Sequence, residues 1–463
     1  MITTWPCSKG LVRFVLAPFL VGALTVLSFA PFEFAWLPIL TLSFLLFTWL
    51  SATTQQSFYS GLFFGLGLFL FGVSWVYNSL SVYGGMPFWM GSIAVLGFSS
   101  LLSLFIATCG LLLAWLTPSK PTRLVLFPFT WIVFEWAKSW VLTGFPWLDI
   151  GYTQTETMLF SYAPLGGVYL VSFTVACLAA ALVFVLINWR IGSPHRFLFI
   201  PIGLAISLFS VAYIVSSSTW SQPVGQPLSI GIVQPNTPIT QKWGIAYRDK
   251  VIAGLISNNQ QLLNKEKLDL IVWPETALPV YLSQTSPQFW DAVRPSGVAL
   301  LTGLIEERRS GGLSETYNAA VLVCEQGQSV YRKRHLVPFG EYLPLRFLFQ
   351  WVLDYLEFPM SDMTAWQGEQ SLSCGDGIKL GLSICYEDAF AGEYQQHVGD
   401  ATVLVNISED AWFGESLAAS QRLQMARMRA RELSLPLVRS GNTGPSAFID
   451  SRGEVIAVSA QFE

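Results

Sequence analysis

SSSTWSQPVGQPLSIGIVQ, residues 216–234, is where the chain changes character. Its first part is a polar stretch rich in Ser, Pro and Gly that reads as a linker, and its end, LSIGIVQ, is a short apolar run that reads as a strand. Charge is shared unevenly about this point: of 56 Asp, Glu, Lys and Arg residues, 11 precede residue 228 and 45 follow it. An apolar half and an ordinarily charged half predict a helical membrane bundle over 1–216, a linker over 217–227 and a globular domain over 228–463. The last region is long enough to bury a core of its own.

Upstream of the linker, apolar runs suited to crossing a bilayer recur about seven times, a span needing ~20 apolar residues. They cover 11–30, 34–50, 57–79, 87–116, 122–142, 164–188 and 197–216. Glu135 and Lys138 fall inside the fifth, where they either pair with each other at helical spacing or mark a short span followed by an interfacial segment. With seven spans, Lys9, Arg13, Lys120, Arg123, Arg190 and Arg196 fall on one side of the membrane and Glu33, Asp149 and Glu156 on the other. The excess of cations predicts a cytoplasmic N-terminus and an extracytoplasmic domain after residue 216.

Downstream the pattern is α/β. LSIGIVQ (228–234), LDLIVW (268–273), VALLTGL (298–304), YNAAVLV (317–323), IKLGLSI (378–384) and ATVLVNI (401–407) read as buried strands, and 245–265, 388–397 and 416–433 as helices. Active residues in such sheets gather where strands end. Glu275 follows LDLIVW by one proline, and Cys385 follows IKLGLSI directly. Each has a plain alternative: Glu275 as a helix-start carboxylate, Cys385 as an inert buried thiol, Lys333 in RKRH as a solvated cation. Together, a carboxylate, a lysine and a cysteine are the parts that build and discharge a thioester. Glu275 suits the base that takes the thiol proton, and Lys333 suits stabilisation of the thiolate and then the oxyanion. His195, His335 and His397 are scattered and form no ligand set with the cysteines, so no metal or other cofactor is expected, and no nucleotide fingerprint points to a nucleic-acid partner.

WPETALP (273–279), KRHLVPFGE (333–341) and ICYED (384–388) resemble the Glu, Lys, Cys triad words of the nitrilase superfamily. HLVPFGEYLP (335–344), TGFPWLDIGY (143–152), NISEDAWFG (406–414) and QMARMRARE (424–432), with the membrane half, are similar to the apolipoprotein N-acyltransferase family. That resemblance implies an αββα sandwich domain outside the bacterial inner membrane. It also implies transfer of an acyl chain from a phospholipid, usually phosphatidylethanolamine, to the N-terminal amine of a diacylglyceryl-cysteine on an apolipoprotein. By the same resemblance Glu341, Tyr386 and Glu387 support the triad Glu275, Lys333 and Cys385. Glu341 has an alternative as a turn residue and Glu387 as a helix start. Two half-reactions through one acyl-enzyme imply ping-pong kinetics. A membrane-tethered nitrilase-type amidase, giving the acyl group to water, is the alternative, and a catalytically dead lipid-binding scaffold a further one.

LPLRFLFQWVLDYLEF (343–358) is unusually apolar for a surface loop, and reads either as a membrane-facing lid carrying Phe347, Phe349, Trp351 and Leu353 or as a core helix. Trp147 and Trp243 are further candidates to shape a substrate entrance. Two departures accompany the resemblance. Glu409 stands where the family more often has Asn, and the chain stops at Glu463, short of the final span with which the family usually ends, so a truncated C-terminal end is expected. Cys324 and Cys374 are candidates to pair in an oxidising compartment, which spacing alone leaves open.

Overall fold

The structure is a computed structural model and describes residues 9–117, 119–191, 195–244, 246–310, 313–349, 362–375 and 377–463; the side chains of 9, 195, 196, 310, 313 and 348–349 are outside that description. The chain divides into two units, Met1–Tyr77 with Pro87–Trp220, and Asn78–Met86 with Ser221–Glu463.

The first unit is helical. Helical segments occupy the middle of each of the seven apolar runs. Among the described residues, however, only Phe88–Leu116, Met158–Arg190 and Phe199–Ser216 are both long and apolar enough to cross a membrane, with Val12–Ser28 and Leu37–Leu50 apolar but shorter. The third run ends as a helix at Gly72, before a separate turn at Asn78–Tyr83. Close helix contact depends on missing side chains: a Cβ on Gly22 would lie 1.9 Å from the Phe64 carbonyl oxygen, and one on Gly67 2.0 Å from that of Phe19.

The ionisable residues of the fifth run do not pair with each other. Lys138 reaches forward to Asp149 at 2.8 Å and donates to the Trp147 carbonyl at 2.6 Å. Glu135 accepts from Trp131 Nε1 at 2.8 Å and from the Ile150 amide at 2.9 Å. The charges therefore fasten the irregular segment after the helix Lys120–Lys138 back onto it, which satisfies backbone groups that an apolar interior would leave unpaired.

The second unit is built on two sheets. One has strands in the order β1 (Ile230–Ile232), β2 (Leu270–Val272), β3 (Ala299–Ser310), β4 (Leu313–Cys324) and β5 (Gly327–Arg332). Its first three strands run parallel and the rest antiparallel. The other places β6 (Leu372–Cys374), β7 (Ile378–Ile384), β8 (Val403–Ser408), β9 (Leu437–Gly441), β10 (Ala447–Ile449) and β11 (Val455–Val458) in the order β11-β10-β9-β8-β7-β6, with β7, β8 and β9 parallel. Covered parallel strands are apolar throughout rather than alternating, and every residue of β8 and β9 is buried.

Each sheet has its own core. Ile271, Trp273, Leu278, Leu300, Leu304 and Val321 form one, in which Trp273 Nε1 donates to Asn259 at 3.0 Å. Leu404, Ala426, Ala430, Leu437 and Ile449 form the other, against the helix Leu417–Leu433. The helix expected over 245–265 is observed as Arg248–Lys265, preceded by a separate short helix, Ile239–Lys242, that the sequence reading did not include. That expected over 388–397 is a tight turn, Cys385–Ala389, followed by a helix Ala391–His397. Cys324 and Cys374 are joined in a disulfide, Cα to Cα 5.8 Å, linking the end of β4 to β6.

Candidate active site

Three strand ends supply the three residues singled out by the sequence. Glu275 lies just past β2, Lys333 directly follows β5, and Cys385 directly follows β7, so the first sheet contributes the carboxylate and the ammonium and the second the thiol. Gly303 on β3 makes room for the first: a Cβ there would meet the Thr276 nitrogen at 2.4 Å and Glu275 Cα at 2.7 Å. Cys385 has φ +52°, a left-handed conformation unusual outside glycine, so the chain turns sharply at the thiol.

Lys333 is 1 % exposed. Its Nζ donates to Glu341 Oε1 at 2.9 Å and stands 3.6 Å from Glu275 Oε1. Asn318 Nδ2, from β4, bridges the two carboxylates at 2.7 Å each. The other oxygen of Glu275 accepts the Glu409 amide at 2.8 Å, and that of Glu341 accepts the Val337 amide at 2.8 Å. Burial works against the Lys333 charge, but Glu341 and Glu275 outweigh it and hold the ammonium above its usual range. The Cys385 pKa is raised as well, which here favours the neutral form: burial, then the Glu275 carboxylate, push the thiol up to about 12, opposed by Arg422 and Lys333. These shifts favour a neutral thiol at Cys385 and a charged ammonium at Lys333.

Glu387 braces the site. Its Oε1 accepts the amides of Arg334 and His335 at 2.6 and 3.2 Å, and its Oε2 accepts the Ile384 amide at 2.6 Å and the Tyr331 hydroxyl at 3.0 Å. One carboxylate thus ties the segment after Lys333 to the end of β7, and through the Ile384 amide it also caps the tight turn Cys385–Ala389, so both readings of it hold. Burial raises its pKa against those donors. Tyr386 packs edge-on to Phe390 at 4.9 Å, and His335 stacks on Phe390 at 3.6 Å while facing Glu393 at 3.1 Å. Glu409, the departure noted above, is buried and paired with Lys242, whose Nζ also donates to the Glu275 carbonyl at 3.0 Å; Asn442 donates to Glu409 at 2.9 Å.

Beneath Cys385 lies a group that strand-end reasoning missed. Arg422 Nη1 is 3.4 Å from Cys385 Sγ and Nη2 donates to the Cys385 carbonyl at 2.7 Å. It shares Asp388 and Asp410 with Arg439. A signal for it exists: Ala418, Arg422, Met425 and Arg429 fall on one face of their helix, and all are buried.

The entrance candidates are placed differently. Trp243 packs beside Ile305, Leu336 and Met363. Phe347, in the short helix Arg346–Phe349, is 81 % exposed. Trp351, Leu353 and the side chain of Phe349 lie outside the described residues. Trp147 is in the first unit, buried against Trp75 at 5.0 Å and Phe145 at 5.5 Å. Among the described residues no group of His, Cys, Asp and Glu is arranged to hold a metal ion.

Two sheets with a buried carboxylate, ammonium and thiol at their strand ends define a carbon-nitrogen hydrolase domain, and residues 229–463 match that family, described as carbon-nitrogen hydrolase. Residues 21–181 match a second model, the apolipoprotein N-acyltransferase N-terminal domain. The chain is 37 % identical to apolipoprotein N-acyltransferase of Methylococcus capsulatus, over 96 % of this chain and 87 % of that one. It is 34 % identical to that of Chromobacterium violaceum, over 97 % and 86 %, and 35 % identical to that of Nitrosomonas europaea, over 96 % and 88 %. The chain belongs to the apolipoprotein N-acyltransferase family.

Proposed function

We propose that this protein moves an acyl chain from a phospholipid such as phosphatidylethanolamine onto Cys385 as a thioester and then onto the N-terminal amine of a diacylglyceryl-cysteine on an apolipoprotein. The observation that carries the reading is the convergence of Glu275, Lys333 and Cys385 in one buried cluster from three separate strand ends.

Glu275 accepts the thiol proton as sulfur attacks the ester carbonyl, then returns it to the departing lysophospholipid alcohol. Lys333, with its pKa held high, keeps its charge throughout and stabilises first the thiolate and then the tetrahedral oxyanion. Glu341 anchors the ammonium from its far side. Glu387 fixes the lysine segment against the nucleophile strand, and Tyr386 walls the site beside Phe390. In the second half-reaction an α-amine, pKa about 7.7–8.0, attacks the thioester without strong activation. The first product leaves before the second substrate reacts, so the kinetics are ping-pong.

The same reading makes 1–216 a bundle of seven spans, counting the shorter helices as tilted or packed spans, and 217–227 a linker to an αββα sandwich at 228–463. It places the domain outside the bacterial inner membrane with the N-terminus in the cytoplasm. The Cys324–Cys374 disulfide supports that side, since such bonds persist in oxidising compartments. Exposed Phe347 would meet the acyl chains, and Trp243, beside Leu336 and Met363, would shape the approach.

The test is acylation of a diacylglyceryl-cysteine peptide by the protein in phosphatidylethanolamine vesicles, read by mass spectrometry. One acyl chain on the peptide amine, absent with Cys385→Ala, is the expected result. Release of free fatty acid with no peptide product would instead favour the amidase reading.

A further inference from the structure

Lys333 is already committed to Glu341 and Glu275, two carboxylates against one ammonium. Proton transfer from Cys385 to Glu275 moves a negative charge from the carboxylate, where Lys333 stands, onto the sulfur, and the second cation in reach there is Arg422. Its guanidinium is 1 % exposed and enters from the helix Leu417–Leu433 beneath the nucleophile. Nη1 lies 3.4 Å from Sγ and 2.6 Å from Asp410, and also donates to Ser408. Nη2 donates to the Cys385 carbonyl at 2.7 Å and faces Asp388 at 3.3 Å. Arg439 holds the same two carboxylates from the opposite side, at 3.4 Å to Asp388 and 2.6 Å to Asp410. Two arginines and two aspartates balance, so Arg422 is fixed in place by a neutral buried cluster with Nη1 3.4 Å from sulfur, its two N–H groups shared among Sγ, Ser408 and Asp410.

We infer that Arg422 is a catalytic residue, its Nη1–H group donating to and electrostatically stabilising the Cys385 thiolate. The inference deepens the acyl-transfer reading and rests on it. The thiol proton passes to a Glu275 oxygen, a sulfur lone pair forms the S–C bond to the acyl carbon, the ester C–O bond breaks, and the proton returns from Glu275 to the leaving alcohol. Arg422 neither gains nor loses a proton. A guanidinium fits this task because it stays charged when buried, and its planar fork bonds sulfur, a carbonyl and two carboxylates at once. Among the groups opposing the burial-driven rise of the thiol, Arg422 stands ahead of Lys333. The alternative is a purely structural charge cluster.

Alkylation of Cys385 by iodoacetamide reads the thiolate without lipid or acceptor. Full-length protein in detergent is alkylated across about pH 7–9, where the thiolate fraction of a high-pKa thiol rises with pH, and the Cys385 peptide is quantified by mass spectrometry. Arg422→Met is expected to slow alkylation about tenfold at each pH, equivalent to one unit of thiol pKa, with Arg422→Lys recovering much of the wild-type rate. If thermal unfolding shows that the single variant does not fold, the double variant Arg422→Met with Asp388→Asn, which removes one charge of each sign, carries the same expectation. A folded Arg422→Met protein alkylated at the wild-type rate or faster overturns the inference, and so does equal slowing in the Met and Lys variants. Failure to acylate any peptide while the alkylation shift is present would count against the acyl-transfer reading alone.

Discussion

Lys333 shows how the charge of a buried side chain is held in place. Two carboxylates at 2.9 and 3.6 Å outweigh its burial and raise its pKa. Replacing it with alanine removes the proposed oxyanion donor and leaves Glu341 and Glu275 without their ammonium. Lys333→Ala is expected to lower the rate of peptide acylation by about 10²–10³-fold, measured under saturating lipid. Cys385 gives a pH prediction. Its folded-state pKa is raised to about 12, so the native state holds its proton more tightly than the unfolded chain does. That stabilisation is fully present below the unfolded value of about 8.5 and is lost as pH rises from there towards the folded value. The apparent melting temperature of Cys385→Ala is therefore expected to fall less steeply than that of the wild type above about pH 8.5, as measured by thermal scans. Glu275 and Cys385 were legible as candidates because each follows an apolar run, and Lys333 only through the longer word KRHLVPFGE. Asn318, Lys242, Arg422 and Arg439 were not, because their partners lie tens of residues or more away and only the folded sheets bring them together.

At the level of elements, the brace and the disulfide matter most. Glu387 accepts four donors from three segments, and Glu387→Gln replaces one acceptor oxygen with an amine that faces donors. An amide N–H left unpaired in that setting costs about 1–3 kcal/mol. The variant is expected to lose acylation rate and lower the melting temperature while Cys385 remains present and reduced, which activity assays and calorimetry together detect. Cys324 and Cys374 close a loop of 50 residues, and Cys324→Ser with Cys374→Ser is expected to cost about 2–4 kcal/mol in the stability of the second unit. Strand positions were the most readable elements: the run 378–384 is observed as β7 without change, because a buried parallel strand writes itself as continuous apolar sequence. The strands β5, β6, β9 and β10 escaped notice, being short or carrying Gly, Ser and Arg. The Arg and Ser of β9 are buried because side chains elsewhere in the fold satisfy them, Arg439 with Asp410 and Asn406, and Ser440 with the Val272 carbonyl.

For the whole molecule, the division into an apolar and a charged half was plain from 11 charges set against 45. The number of spans was not, because hydropathy does not separate a span from a shorter packed helix, and charges such as Glu135 and Lys138 read as exceptions until their partners are known. The proposed topology puts the loop at 51–56 in the cytoplasm and the second unit outside. A cysteine at exposed Lys265 is thus expected to react with a membrane-impermeant maleimide in intact cells, and one at exposed Gln55 only after the membrane is opened. The central claim is the acyl-enzyme on Cys385. It is tested most directly by incubating the purified full-length protein with phosphatidylethanolamine and weighing it intact, with hydroxylamine treatment and Cys385→Ala alongside. The account predicts a gain of one acyl chain that hydroxylamine removes and the variant never acquires; a folded protein that gains no mass, or an adduct that persists in Cys385→Ala, would contradict it.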